Sequence, residues 1–256
     1  SPNQYWLENL NYMRENTTAD SVILSWWDYG YWFESIGGRA AIADGGNMGH
    51  YADPGEGKIN LPLADFLTSS NYTEWLPWLE DRSVDYVVLD YTMIGKYSAV
   101  SQIHKRGKAP NVMQSFNFVG VTTMGNNTFL KYCLTRGGSC RTGSPTFFVP
   151  FKRSGQNVQV TGAPLVKSSQ GTTSFVKKLC SADGIKEFEA KEDRGKVPGC
   201  IAFDPLKGAS SILYIPEAPM KSTLVNLYIM DGKGMEHFEK VEGASNGYVK
   251  MWKVNY

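Results

Sequence analysis

Hydrophobic residues in the first third of the chain follow two patterns, helical spacing and short continuous apolar runs. The helical spacing of Trp6, Leu10 and Met13 predicts a helix over residues 3–15. The continuous runs, which are typical of buried strands, lie at residues 22–24, 40–43 and 85–90. Further helical segments are predicted at residues 29–36, 61–69 and 73–79. This succession of strands and helices predicts a mixed α/β layer.

After about residue 110 the pattern changes to short alternating runs separated by turn residues. These runs lie at residues 116–123, 146–151, 158–161, 211–215 and 223–230. The sequence therefore predicts a mixed α/β fold with an α/β core over residues 1–108. A mostly antiparallel β portion over residues 109–256 follows, packed on that core or merged with it in one composite domain.

The composition narrows the class of protein. A chain of 256 residues with 42% hydrophobic and 20% charged residues is long enough to bury a core, which excludes disorder and coiled coil. A formal net charge of +1 gives no overall attraction to nucleic acid, and we expect no nucleic-acid partner. No run of about eighteen apolar residues occurs, so the chain as given is expected to be soluble. It begins without Met and is either a mature form or a piece of a longer protein.

The cysteines favour an oxidising compartment. Cys133 and Cys140 bracket a turn-forming insert that lets two strand ends face each other and form a disulfide. Cys180 and Cys200 are candidates for a second disulfide, and the alternative is four free buried thiols. Because no Cys-x-x-Cys pair occurs, zinc is not expected. Three Asn-x-Ser/Thr glycosylation acceptors agree with an exported face, at Asn16, Asn71 and Asn126.

The most unusual local feature is Trp26-Trp27-Asp28-Tyr29-Gly30, at the end of the first predicted strand. A buried indole needs an acceptor for its N–H, and a buried carboxylate is costly unless it is paired. Two indole donors and one carboxylate acceptor match a hydroxyl, which has one donor and two lone pairs. Trp26, Trp27 and Asp28 therefore predict a pocket for the hydroxyl of Ser or Thr. The alternative is a Trp-rich core in which Asp28 caps the next helix.

At all five positions this motif resembles the signature of the oligosaccharyltransferase catalytic-subunit family, which transfers a lipid-linked glycan to Asn of Asn-x-Ser/Thr. Tyr29 and Gly30 complete the signature, after the three residues that are predicted to bind the hydroxyl. The flank over residues 37–45, Gly-Gly-Arg-Ala-Ala-Ile-Ala-Asp-Gly, is also similar to the family. The resemblance covers only the soluble C-terminal domain, without the family's transmembrane part, and is greatest to the short archaeal members.

The resemblance implies that the full-length protein is a glycosyltransferase of the cell membrane, with this domain on the external or lumenal face. Its implied partners are an acceptor peptide with Asn-x-Ser/Thr and a lipid-linked oligosaccharide bound through the transmembrane part. It also implies a divalent cation, Mn or Mg, held by membrane-side loops outside this chain. We expect no cofactor, metal site or catalytic residue in the domain itself, and no activity of the isolated domain.

A second family motif, Asp-x-x-Lys-x-x-x-Met/Ile, is expected on a helix near the pocket, with apolar residues replacing Asp and Lys in bacteria. Here Asp90 fits, Met93 stands in place of Lys, Tyr97 ends the motif, and Lys96 is displaced. The spacing would keep Asp90, Met93 and Tyr97 on one helical face. Met93 would then contact the methyl group of a bound Thr and favour Thr over Ser by about 0.8 kcal/mol. The alternative places Met93 in the core, and the sequence leaves open whether Met93 or Lys96 replaces the family's Lys.

These features predict the acceptor-recognition domain of a transferase, which fixes the Asn in register by holding the hydroxyl residue. Two other classes remain open. A non-catalytic carbohydrate-binding or cell-surface module would show an exposed aromatic row on the β-rich part. A glycoside hydrolase would pair Asp28 with Glu34 or Asp44. His50, in the glycine-rich loop over residues 44–58, is expected in solvent, and this loop is expected to form a mobile edge of the site.

Overall fold

The computed structural model of the chain describes residues 1–47, 59–105, 107–155, 157–189 and 195–256. His50 and most of the glycine-rich loop lie outside the described residues. The chain divides into two compact units, of which unit 1 comprises Ser1–Val112 and Lys221–Tyr256, and unit 2 comprises Met113–Met220. The boundary predicted near residue 108 lies close to the first junction. The prediction assigns all of residues 109–256 to a β-rich portion, whereas residues 221–256 return to unit 1.

The N-terminal part of unit 1 has the predicted succession of helices and strands. Its elements are α1 (Gln4–Asn16), β1 (Val22–Leu24), α2 (Gly30–Trp32), β2 (Ala40–Ala41), α3 (Asn60–Thr68), α4 (Leu76–Asp81), β3 (Val84–Asp90) and α5 (Thr92–His104). Short 3₁₀ turns lie at Trp27–Tyr29, Gly45–Asn47 and Tyr72–Trp75, and a π turn lies at Phe33–Gly37. Gly38, at φ +64°, ends the π turn, because glycine adopts this left-handed conformation at little cost.

Helix α1 is stabilised at its start by a side-chain cap. The Asn3 side chain accepts a hydrogen bond from the Trp6 backbone N–H at 3.1 Å. Trp6, Leu10 and Met13 are buried on one face of the helix, as their spacing predicts.

Arg39 stabilises the other end of α1. Its guanidinium donates hydrogen bonds to the carbonyl oxygens of Arg14 and Thr17 at 2.8 and 2.7 Å. These carbonyls belong to the last turn of the helix, where the negative end of the helix dipole attracts a cation. The flanking Gly-Gly-Arg sequence therefore serves the packing of α1 against the segment that leads into β2.

Unit 2 consists mainly of short strands, as predicted. Its elements are β4 (Gln114–Met124), β5 (Asn127–Cys133), β6 (Thr135–Arg136), β7 (Ser139–Cys140), β8 (Thr146–Ser154), β9 (Asn157–Val160), β10 (Leu165–Lys167), β11 (Thr173–Phe175), β12 (Lys178–Ser181), β13 (Gly184–Glu187), β14 (Cys200–Asp204), β15 (Gly208–Ile215) and α6 (Glu217–Met220). The main sheet has the order β11-β10-β8-β5-β4-β15-β14-β12-β13, and β9 pairs with β8. Its described ladders are antiparallel except for β12 with β14. Disulfides join Cys133 to Cys140 and Cys180 to Cys200, the two candidate pairs named from the sequence.

The chain then returns to unit 1 with α7 (Thr223–Tyr228), β16 (Phe238–Lys240), a 3₁₀ turn (Glu242–Ala244) and β17 (Val249–Val254). The prediction of a strand over residues 223–230 is wrong. The Ser222 side chain accepts a hydrogen bond from the Val225 N–H at 3.3 Å and caps a helix instead. Leu224, Val225 and Leu227 are fully buried. A helix buried on most sides has a continuous apolar sequence, which periodicity does not distinguish from a buried strand.

The sheet of unit 1 has the order β16-β17-β3-β1-β2. Strand β1 is parallel to both β2 and β3, and β17 is antiparallel to β3. Because β1 and β3 are parallel, their C-terminal ends lie at the same edge of the sheet, where α/β proteins commonly place their sites. In the described parts of the chain, no helix is long and apolar enough to cross a membrane.

Candidate functional site

The Trp-Trp-Asp motif, residues 26–30, follows β1 at this edge of the sheet. Asp90 ends the neighbouring parallel strand β3, and α5 begins two residues later at Thr92. The topology therefore brings together a turn near residue 28 and a strand–helix junction near residue 90, although about sixty residues separate them in sequence.

Gly30 allows the motif to pack closely against the chain that follows β2. A Cβ atom at this position would lie 2.2 Å from the carbonyl oxygen of Ala43 and 2.6 Å from Asp44 Cα. Contacts this short with backbone atoms require the chain to move. The glycine of the motif is therefore required by packing, since its backbone is in the ordinary right-handed helical region.

The side chains of Asp28, Tyr29, Asp90 and Lys96, with Trp6 and Thr92, form one hydrogen-bonded cluster. Asp28 and Lys96 form an ion pair at its more exposed end. Lys96 Nζ donates hydrogen bonds to Asp28 Oδ2 and, at 3.0 Å, to the Tyr29 hydroxyl. The same ammonium lies 4.9 Å from the centre of the Tyr29 ring, within the range of a cation–π contact. The side chains of Asp28 and Lys96 are 23% and 37% exposed, so the carboxylate is open to a ligand while it is held by the lysine. Asp28 does not cap α2, and the capping alternative is not observed.

Asp90 lies deeper in the cluster. Its carboxylate accepts hydrogen bonds from the Tyr29 hydroxyl at 2.8 Å, the Thr92 hydroxyl at 3.0 Å and the Trp6 indole N–H at 3.3 Å. Burial raises the pKa of Asp90, while these hydrogen bonds and the charge of Lys96 act in the opposite direction. Burial, together with the charge of Asp90, also raises the pKa of Tyr29, so the phenol remains a hydrogen-bond donor.

The two indoles of the motif differ in exposure. Trp26 is 3% exposed, whereas Trp27 is partly exposed, and their ring centres are 6.5 Å apart with the planes tilted by 46°. Among the residues that the structure describes, neither indole N–H donates a hydrogen bond. Neither of them is a buried polar atom without a partner, and both belong to the same motif as the partly exposed carboxylate of Asp28.

The structure separates the residues of the second predicted motif. Asp90 is the last residue of β3 and not part of α5, so Asp90, Met93 and Tyr97 do not share a helical face. Met93 is fully buried and Tyr97 is 1% exposed, which places both in the core rather than on a ligand-binding surface. The lysine that contacts the Trp-Trp-Asp motif is Lys96. Met93 lies in the core, the position that the alternative interpretation gives it.

Trp6 and Thr92 take part in the cluster without having been predicted as site residues. The spacing of Trp6 identifies only a buried helical position, and nothing in the sequence near residue 6 indicates a partner 84 residues away. Thr92 is two residues beyond the predicted Asp90, at the start of a helix. Asp90 is the common acceptor of Trp6, Thr92 and Tyr29. The parallel pairing of β1 with β3 brings Tyr29, which follows β1, to Asp90 at the end of β3.

The described residues contain no group of three or more His, Cys, Asp or Glu side chains that would hold a metal ion. The divalent cation implied by the family resemblance therefore has no fitting donor set within those ranges. Asp28 and Asp90, the carboxylates of the cluster, bind instead to Lys96 and to hydroxyl and indole donors.

The contacts also bear on the two alternative classes. A glycoside hydrolase would need two carboxyls that flank one glycosidic bond. Glu34 is exposed and has no described partner, while Asp28 is bound to Lys96, which is a different arrangement.

In the described residues of unit 2, Phe118 is the one exposed aromatic side chain. A row of aromatics for stacking on sugars, the feature expected of a carbohydrate-binding module, is not present among those residues.

Sequence comparison finds relatives that are glycosyltransferases by name. Dolichyl-phosphooligosaccharide-protein glycotransferase 1 of Pyrococcus furiosus is 54% identical over 44 residues, covering 16% of this chain and 5% of that protein. Glycotransferase 3 of Archaeoglobus fulgidus is 33% identical over 131 residues, covering 39% of this chain and 14% of that protein. The chain thus matches only a small part of the length of these curated relatives. No protein-family model matches it.

Comparison with solved structures extends the match to nearly the whole chain. The C-terminal domain of PglB from C. jejuni superposes with a TM-score of 0.55 at 13% identity, covering 98% of this chain and 100% of that one. The common fold confirms the predicted mixed α/β class. The chain is therefore similar in sequence to archaeal dolichyl-phosphooligosaccharide-protein glycotransferases and has the fold of the C-terminal domain of PglB, in agreement with the resemblance at residues 26–30.

Proposed function

We propose that this chain is the acceptor-recognition domain of a membrane-bound oligosaccharyltransferase, and that it binds the Ser or Thr hydroxyl of an Asn-x-Ser/Thr peptide. One observation carries the proposal. The partly exposed carboxylate of Asp28 lies in the same motif as two indole N–H groups that have no acceptor in the described part of the chain. A hydroxyl has the matching set of one donor and two lone pairs.

The two oxygens of Asp28 would have different roles. Oδ2 accepts the hydrogen bond from Lys96, and Oδ1 has no described partner. The ligand hydroxyl would donate to Oδ1 and accept from the indole N–H groups of Trp27 and Trp26. Lys96 is thus a positioning residue, which holds the carboxylate by a hydrogen bond, and it takes the place of the family's lysine at a displaced position.

Binding of the hydroxyl residue would set the position of the Asn two residues earlier. Orientation of this kind lowers the barrier of a reaction between two bound reactants. The lipid-linked oligosaccharide, the divalent cation and the catalytic groups would belong to parts of the enzyme outside this chain. We therefore expect the isolated chain to bind peptide weakly and to transfer no glycan, and we expect it on the external or lumenal face of the membrane.

The test is an NMR titration of the seven Trp indole N–H signals with two peptides, Asn-Ala-Thr and Asn-Ala-Val. We expect the signals of Trp26 and Trp27 to shift with the Thr peptide alone. The shifts should disappear in Asp28→Ala and persist in Glu34→Ala, which removes an exposed carboxylate six residues away. Equal shifts with both peptides would indicate a general aromatic surface, and no shift with either would count against hydroxyl recognition by this domain.

A further inference from the structure

Basic and acidic residues are distributed very unevenly along the chain. The whole sequence has 26 Lys and Arg and 25 Asp and Glu. Residues 113–182, which belong to unit 2, have eight Lys and Arg and no Asp or Glu. A local excess of one sign creates a field that attracts the opposite sign, even where the net charge of the molecule is near zero. This part of unit 2 therefore carries a positive charge that the net charge of +1 conceals.

Three of these lysines lie on one face of the main sheet of unit 2. Lys131 of β5 is opposite Phe148 of β8. Lys167 of β10 is opposite Thr146 of β8. Thr146, Phe148 and Lys152 alternate along β8 with the residues that point to the other side, so their side chains share a face. The hydrophobic core of unit 2 lies on the other side of the sheet. The three lysines are therefore on the face that points away from this core.

The disulfide hairpin adds two arginines to this face. Cys133 lies two positions beyond Lys131 on β5, so its side chain points to the same side as the lysine. Its disulfide to Cys140 holds the β6–β7 hairpin on that side. Arg136 ends β6 and Arg141 follows β7, and both side chains are exposed. We call the following five residues the basic face: Lys131, Arg136, Arg141, Lys152 and Lys167.

The charges of the basic face are not neutralised within the described part of the chain. None of its five side chains has an ion pair or a side-chain hydrogen bond with a described residue. Four of them are exposed, and Lys131 is partly exposed. Like charges held on one face without counter-charges repel each other, which costs stability in the compact state. An anionic surface laid against the basic face would remove this repulsion.

The end of the β4–β5 hairpin, which leads into β5 before Lys131, exposes apolar side chains. Strand β15 pairs with β4 only as far as Asn117, and β8 pairs with β5 only from Phe129 onward. Between these points the two strands form a ribbon that no other described strand flanks. Val121 and Met124 of this ribbon are 51% and 39% exposed. An apolar hairpin end thus adjoins the basic face.

We propose that the basic face and the hairpin end bind an anionic lipid surface. The lysines and arginines would lie against the headgroups, and Val121 and Met124 would enter the boundary between headgroups and acyl chains. A nucleic acid would attract the same charges, but it binds single strands by stacking bases on aromatic side chains. In the part of unit 2 that the structure describes, Phe118 is the one exposed aromatic. This surface goes beyond acceptor recognition and does not depend on Asp28.

The first test is co-sedimentation of the chain with vesicles of phosphatidylcholine, with and without phosphatidylglycerol. We expect binding that needs phosphatidylglycerol and falls steeply in about 1 M KCl, where charges are screened beyond about 3 Å. The triple variant Lys131→Gln, Lys152→Gln and Lys167→Gln should bind roughly a hundredfold more weakly, because each lysine near an anionic surface contributes about fivefold. Binding to pure phosphatidylcholine that is equally strong would overturn the proposal.

The matched control removes the same number of charges from unit 1. Lys108, Lys233 and Lys253 are exposed and have no ion pair with a described residue. The triple variant Lys108→Gln, Lys233→Gln and Lys253→Gln should therefore keep most of the vesicle affinity. Thermal unfolding of both triple variants should resemble that of the natural chain, since surface substitutions of this kind rarely change stability. Equal losses of vesicle binding in the two would show that only net charge matters and would exclude the basic face.

The second test separates a lipid surface from a nucleic acid. Val121→Ser combined with Met124→Ser should weaken vesicle binding about tenfold, the effect of withdrawing about two methylene groups from the acyl region. Binding of a single-stranded oligonucleotide should be weaker than vesicle binding. Tighter binding of the oligonucleotide, with no effect of the two serines, would replace the lipid surface by a nucleic acid. Absence of binding to both would contradict the surface.

Discussion

Lys96 Nζ and Asp28 Oδ2 are hydrogen-bonded although their residues lie 68 positions apart in the chain. Because both side chains are partly exposed, Lys96→Gln should reduce the free energy of unfolding by less than about 1 kcal/mol. If the lysine positions the carboxylate, the same change should weaken binding of the Asn-Ala-Thr peptide by roughly tenfold. Urea unfolding and the indole titration measure the two effects separately.

Lys96→Arg is the conservative companion of this variant, since it keeps the charge within reach of Asp28. It should restore a substantial part of the peptide affinity. Full affinity in Lys96→Gln would show that Asp28 needs no cation, and would remove Lys96 from the site.

Gly30→Ala should destabilise the chain by about 3 kcal/mol, because the new Cβ atom would lie 2.2 Å from the carbonyl oxygen of Ala43. Gly95→Ala is the matched control. Gly95 is a helical residue of α5 with nothing within 4 Å of an added Cβ atom, and alanine there should stabilise the chain by about 1 kcal/mol. Thermal unfolding of the two variants gives opposite signs if backbone packing is the reason for Gly30, and a tolerated Gly30→Ala would exclude that reason.

Met93→Ala should cost about 2–5 kcal/mol, because it removes a fully buried side chain and leaves a cavity in the core. Met124→Ala, at a position that is 39% exposed, should change stability by no more than about 0.5 kcal/mol. Met93→Ala should also leave the ratio of affinities for Thr and Ser peptides unchanged. A selective loss of Thr affinity would support the methyl contact that the sequence suggests and the buried position of Met93 opposes.

Asp231 gives the chain a pH-dependent stability. Its hydrogen bonds with Lys250 and Lys240 outweigh the effect of burial and lower its pKa below the usual 3.8. A lowered pKa in the folded state means that the stabilisation is complete above the unfolded pKa and is lost as the pH falls through the folded value. Unfolding free energies measured from about pH 6 to about pH 2 should therefore fall more steeply for the natural chain than for Asp231→Asn. Parallel curves would show that the two lysines do not stabilise the ionised carboxylate.

The predictable part of the fold is the part in which short-range patterns decide the outcome. The apolar face of α1 at Leu10 and Met13, the strand runs near residues 22 and 85, and the turn between Cys133 and Cys140 can all be recognised within a few residues. The helix at Thr223–Tyr228 is not predicted, because a buried helix and a buried strand have the same continuous apolar sequence.

The candidate site is less predictable because its contacts are set by strand order. The Trp-Trp-Asp motif is evident in the sequence, and so is Asp90. That Lys96 reaches Asp28, whereas Met93 lies in the core, follows from where β3 ends and from the rotation with which α5 begins. Trp6 contacts Asp90 for the same reason, and no local signal near either residue indicates it.

The pairing of β17 with β3 affects the order in which the sheet of unit 1 can form during synthesis. Strand β3 carries Asp90 at its end, opposite Val249 of β17. The ribosome must therefore make all of unit 2 before the neighbour of β3 emerges. Until then β3 has an unpaired edge, and such an edge is a template for wrong pairing in a nascent chain. The strand that supports the site therefore gains its second neighbour only after unit 2 and the segment up to Val249–Val254 have been made.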